Sequence, residues 1–118
     1  VERPAAQPLT LINFFKFRQQ AKYSGRLFSS SKGQTGQEAF GQYAAVSMPA
    51  MEVAGGSFLH VAPVAGVFVG PSEDWDMVAI GRYPDLAAFY ALYENREYQA
   101  AYGHRVAACE RQKVVVCD

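Results

Sequence analysis

Cysteine is scarce in this chain, which holds only Cys109 and Cys117. Two are too few for a disulfide scaffold, and there is no C-x-x-C pair or paired histidine with zinc-ligand spacing. We read both as reduced core residues of an intracellular protein. Net charge is also lacking: 11 Lys+Arg balance 11 Asp+Glu. A neutral chain does not have the basic balance of a nucleic-acid binder, so no nucleic-acid partner is expected. No apolar run approaches the ~18 residues that span a bilayer, so no membrane partner is expected either. Residues 1–8 (VERPAAQP) have none of the apolar stretch of a secretory signal. A cytoplasmic location is therefore the default expectation, and Val rather than Met at position 1 fits a trimmed start. The chain contains no G-x-G-x-x-G, no Walker loop and no G-x-S-x-G elbow. The run Ser29-Ser30-Ser31-Lys32 lacks the flanking structure of a serine–lysine enzyme. An axial haem ligand would have to be His60 or His104, the only histidines; no cofactor and no metal are expected.

What the chain does have is apolar and aromatic content. Half of its 118 residues are hydrophobic and 14% are aromatic, too many for a disordered chain and enough for the core of one domain, residues 1–118. The zero charge is a cancellation. Residues 1–37 carry Arg3, Lys16, Arg18, Lys22, Arg26 and Lys32 against Glu2 alone, and the remainder is correspondingly acidic. A solvated basic loop explains this, as does a local anion site or head-to-tail recognition between chains.

After an N-terminal extension (1–8), Leu9 to Arg18 reads as a strand. Leu11, Asn13, Phe15 and Phe17 share one face; Ile12, Phe14 and Lys16 share the other. Both faces are apolar at the centre, and Asn13 interrupts one of them. Residues 19–34 have no sustained period and read as a long flexible loop. Thr35 and Glu38 form a capping box, followed by Phe40, Tyr43, Ala44, Ser47, Met48 and Met51 at helical spacing. Pro49 predicts a kink or break, and Gly55-Gly56 a stop. Ser57–Ala62 reads as a strand that Val64–Val69 continues past Pro63. After a turn, Trp75–Tyr83 forms the next strand. Asp85 caps a short helix to Tyr93, Asn95 caps another to about Arg111, and Gln112–Cys117 is a final β-branched strand.

The order β-α-β-β-α-β, with the second helical unit in two pieces, is the split βαβ pattern of α+β ferredoxin-like folds, an antiparallel sheet with helices on one face. Ile12, Phe14, Val78, Ile80 and alternate valines of the last strand make the open face too apolar to stay wet. A second copy of the chain would cover it, so a homodimer is expected.

The segments Gly55-Gly56, Trp75-Asp76, Arg82-Tyr83-Pro84, Ala87-Ala88-Phe89, Glu97-Tyr98-Gln99 and His104-Arg105 together resemble the domain of unknown function 1330 (DUF1330) family. The opening Leu11–Arg18 and the segment Gly36–Tyr43 are similar to its longer-loop branch. The resemblance implies a dimeric α/β barrel, two ferredoxin-like units packed sheet to sheet. The wider fold relatives it implies include cofactor-free monooxygenases, lactone isomerases, polyketide cyclases and haem proteins, which together imply only a small-molecule pocket. Many members carry an acid where this chain has Arg82, so any role of that acid is not shared.

Two residues are candidates for catalysis. His104 is the one suitable proton carrier, since an imidazole as a class of group titrates near neutral pH; the alternative is a half-buried histidine tied to backbone. Arg105, about 100° around the helix from it, is placed to hold a carboxylate or enolate; the alternative is an ion pair with Asp85, Glu94 or Glu97. Asn13 and Arg82 are candidate ligand contacts, Asn13 to a carbonyl and Arg82 at the barrel end; a tie to a neighbouring loop and a solvated strand end are the alternatives. Tyr43, Tyr83, Tyr98 and Tyr102 offer apolar walls with hydroxyl tips, suited to a small aromatic or polyketide-like ligand or to a packed core. His60 is expected to face a neighbour or solvent. The expected function is binding of a small anionic or aromatic metabolite, with cofactor-free isomerase, cyclase or oxygenase chemistry. A non-catalytic dimerisation or ligand-sensing module is the alternative.

Overall fold

The computed structural model describes residues 4–24 and 33–118. The chain runs through β1 (Leu9–Phe17), α1 (Gly36–Val53), β2 (Ser57–Pro63), β3 (Met77–Tyr83), α2 (Leu86–Glu94), α3 (Arg96–Ala108) and β4 (Cys109–Cys117). The sheet order is β2-β3-β1-β4, and every neighbouring pair is antiparallel. This is the ferredoxin-like arrangement expected from the element order.

Local chemistry sets the helix ends. Thr35 Oγ1 accepts from the Glu38 amide, and Glu38 accepts from the Thr35 amide, closing the expected capping box. Asp85 and Asn95 cap α2 and α3 by accepting from the amides of Ala88 and Tyr98. At the end of α1, the Gly55 amide reaches Glu52 O and the Gly56 amide reaches Met51 O, with Gly55 at φ +99°. This is a Schellman stop, which favours glycine at the left-handed position. A Cβ on Gly36 would lie 2.2 Å from Arg18 O, so only glycine allows α1 to start against the end of β1.

Three expectations about element limits are corrected. Helix α1 runs through Pro49 to Val53 without a break. Pro49 and Ala45, whose carbonyl loses its helical donor, are both exposed, on the solvent side of the helix where a missing bond costs least. Val64–Val69 adds no strand: Pro63 ends β2, and the chain leaves the sheet until the Val64 amide meets Asp76 O at the base of the loop. Helix α3 ends at Ala108 rather than near Arg111, because Cys109 already pairs with Phe17 in the sheet. Cys109 is buried as expected, whereas Cys117 is half-buried on an edge strand.

Alternation along the strands gives the sheet two different faces. Leu9, Leu11, Phe15, Ala79 and Tyr83 face the helices and form the core with Phe40, Tyr43, Met51, Leu92 and Tyr98. Ile12, Phe14, Val78, Ile80 and Val115 lie on the other face, which none of the described helices covers. Trp75 leans on Phe14 there, 5.7 Å between ring centroids. Residues 19–24 of the expected 19–34 loop run beside α3, with the Lys22 amide on Ala107 O; residues 25–32 lie outside the described residues. Within the expected extension, Ala5 O accepts from the Leu86 amide at the start of α2.

Candidate functional site

A cavity with about 60 Å³ of free room lies between the helices and the sheet. Its floor is Leu11, Asn13 and Phe15 of β1 with Ala79, Gly81 and Tyr83 of β3, all odd-numbered and so on one face. Its roof comes from α1 and α3, and Arg105 projects into it from the last turn of α3.

Arg105 is 5% exposed. Its Nη1 donates to Tyr43 Oη at 3.1 Å, its Nη2 to Asn13 Oδ1 at 3.3 Å, and its Nε to Gln112 Oε1 at 2.7 Å. The guanidinium carbon lies 4.9 Å from the Phe15 ring centroid and 5.5 Å from those of Tyr43 and Tyr102, within cation–π range. All these partners are neutral. Among the described residues the guanidinium makes no ion pair, with Asp85, Glu94, Glu97 or any other carboxylate. The α3 C-terminus supplies only a fractional negative charge.

Tyr83 and Tyr98 do not supply the missing anion. Tyr43 and Tyr98 share a 2.7 Å hydrogen bond. Burial, reinforced by Tyr43 and Tyr93, pushes Tyr98 far above the ordinary phenol range. Burial raises Tyr83 as well. Both stay protonated, so the cavity presents hydroxyls, one amide and one uncompensated cation. A buried cation without a counterion is costly, typically several kcal/mol.

The structure brings Asn13, Tyr43, Tyr83, Tyr98 and Arg105 together on the cavity wall. Asn13 both ties strands and faces the cavity, since its Nδ2 donates to Ala79 O at 3.0 Å. Tyr102 stands behind the wall, edge-on to Tyr43 and Tyr98. His104 and Arg82 lie elsewhere. His104 Nδ1 pairs with Tyr23 Oη at 2.5 Å beside the 19–24 segment. Arg82 is on the opposite sheet face, where its Nη1 donates to Thr10 Oγ1 at 2.6 Å and to Asp118 O at 3.2 Å. One ligand in the cavity therefore cannot touch both arginines. His60 is exposed on β2, opposite Ile80.

Sequence reasoning missed Gln112, Tyr93, Ser47 and Met48. Gln112 pairs with Phe15 in the β1–β4 register, which puts it on the helix side near Arg105. The tilted Tyr93–Tyr98 ring contact, 5.1 Å between centroids, forms because α2 and α3 meet at Asn95.

Comparison with known proteins places this fold. A protein of unknown function from Rhodopseudomonas palustris is 30% identical, with a TM-score of 0.82 over 95% of this chain and 82% of that one. SnoaB, a cofactor-independent oxygenase from Streptomyces nogalater, shares the fold at 13% identity, with a TM-score of 0.59 over 96% and 93% of the two chains. A dimeric protein of unknown function and ferredoxin-like fold from Bacteroides fragilis does so at 14% identity, with a TM-score of 0.51 over 94% and 95%. No curated protein matches the chain in sequence. The family model "Domain of unknown function (DUF1330)" matches residues 30–118, and the chain belongs to that family.

Proposed function

We propose that the chain binds a small anionic or aromatic metabolite in the cavity beneath Arg105, working as one half of a homodimeric α/β barrel. The observation that carries this is the buried guanidinium, held by Tyr43, Asn13 and Gln112 with no carboxylate beside it. A ligand anion supplies the charge the protein omits, in a dry site where charge-assisted hydrogen bonds are strong. The same arrangement suits cofactor-free isomerase, cyclase or oxygenase chemistry. Arg105 stabilises negative charge as it develops on an enolate, while Asn13 and Tyr43 set the substrate's orientation. His104, held by Tyr23, makes no contact with the ligand in this scheme.

The dimer is supported by the uncovered apolar face and by the dimeric relative from Bacteroides fragilis. A second reading, a non-catalytic dimerisation or ligand-sensing module, is favoured by the cavity's size. About 60 Å³ is well under the ~150 Å³ of a cavity that holds benzene, so a ligand must be small or must displace side chains. A thermal-shift screen of metabolites against the purified protein and its Arg105→Gln variant separates the readings. Stabilisation by anionic compounds that disappears in the variant supports binding at Arg105. Absence of any stabilising compound favours the module.

A further inference from the structure

The exposed residues of the cavity lining are apolar. Arg105, Tyr98 and Tyr43 are buried at its inner end. At its outer end Met48 and Val61, on α1 and β2, are 46% and 45% exposed, with Phe58 and Ala44 half-buried beside them. Arg105 is the single charged residue of the lining. A ligand that satisfies both ends has one charged head and an apolar tail.

Head chemistry follows from the guanidinium. It has five N–H groups, and three are used by Gln112, Tyr43 and Asn13. One N–H on each terminal nitrogen is left, a pair that matches the two oxygens of a carboxylate. A phosphate is a poorer fit. It is tetrahedral and mostly dianionic near neutral pH, whereas the site offers a narrow space and one cation.

On these grounds, and resting on the binding role given to Arg105 above, we infer that the ligand class is the short monocarboxylates with an apolar tail. The carboxylate lies on Arg105 and the tail leads out between Met48 and Val61, where Met48 sets the length accepted. The unbranched, flexible methionine is the element that yields to a longer tail. Its exposure means that trimming it leaves the core intact.

The test is calorimetric titration of the whole protein with propanoate, butanoate, hexanoate and octanoate, with their primary amides, and with succinate and glutarate. Expected results are affinity rising about fourfold per methylene until the tail outgrows the cavity, and amides and dicarboxylates at least tenfold weaker. Met48→Ala shifts the best length upward and leaves propanoate binding within about twofold; Met48→Leu, close to it in volume, shifts it less. Acids that bind without length dependence, dicarboxylates that bind equally, or a Met48→Ala variant with unchanged length preference overturn this inference and leave the anion role of Arg105 standing. Amides that bind as well as acids, or no binding by any acid, overturn both.

Discussion

The two faces of the sheet each carry an arginine, and the two are held differently. Arg82, half-buried on the uncovered face, has a threonine hydroxyl and a carbonyl as partners. Arg105, on α3, lies against α1 and the sheet among aromatic rings, with every partner neutral. Arg82 keeps part of its hydration, so its charge asks little of the fold. Arg105 has given up its hydration and received no counterion, a loss that folding alone does not explain. On this contrast rests the proposal that the covered face receives an anion and that the other packs against a second copy of the chain.

Exchanging the arginines' charges gives the widest separation between the faces. Arg105→Gln is expected to weaken binding of a short monocarboxylate at least a hundredfold, since it removes two charge-assisted hydrogen bonds worth ~1.5–3 kcal/mol each. Arg82→Gln is expected to leave binding within twofold. Calorimetric titration of both variants checks this, and equal losses would erase the distinction.

Neighbouring positions of β3 offer the next contrast. Ala79 faces the helices and Ile80 the open side. A lysine at position 79 puts an unpaired charge in the core and is expected to destabilise by about 3–5 kcal/mol. Ile80→Lys is expected to fold, losing ~1 kcal/mol or less as a monomer, and to halve the molecular mass in analytical ultracentrifugation. A dimer that survives Ile80→Lys would place the contact elsewhere.

Removing one hydroxyl sharpens the picture on the covered side. Tyr98→Phe breaks the bond to Tyr43 and is expected to cost ~1 kcal/mol in denaturant unfolding, with ligand binding retained because Tyr43 still meets Arg105.

Titration gives the smallest effects. Tyr83 and Tyr98 are raised in the folded state, chiefly by burial. Their contribution to stability is complete below the ordinary phenol range and is lost as pH rises above it, because the unfolded chain then releases protons the folded chain retains. Denaturant midpoints are expected to hold through neutral pH and fall in strong alkali, with these two tyrosines ionising only on unfolding. Cys109, pushed up to about 11 by burial, is expected to react with a thiol reagent more slowly than Cys117 at neutral pH.

The fold was legible wherever a local rule acts over a few residues. Capping at Thr35, Asp85 and Asn95 and the stop at Gly55-Gly56 follow from side chains within one turn of their partners. Alternation in Leu9–Phe17 fixes which side of β1 meets the helices. What escaped depends on distant pairing. Cys109 leaves α3 because Phe17, on a different strand, pairs with it. Val64–Val69 has strand composition, but no neighbouring strand reaches it.

The candidate site divides the same way. Helical spacing brought out Arg105, Tyr98 and Tyr102 and placed His104 about 100° away. Which of the two adjacent residues meets the cavity was decided by Tyr23, from the other side of α3. Gln112 and Met48 join the site through the β1–β4 register and the packing of α1 on the sheet, neither of which has a short-range pattern.

The most direct test of the central claim is calorimetric titration of the wild-type protein and Arg105→Gln at neutral pH with whichever acid from propanoate to octanoate the wild type binds best, once circular dichroism shows that both are folded. The account predicts saturable one-site binding to the wild type and at least hundredfold weaker binding to the variant. Affinities within about threefold of each other, or no binding to the wild type, would contradict it.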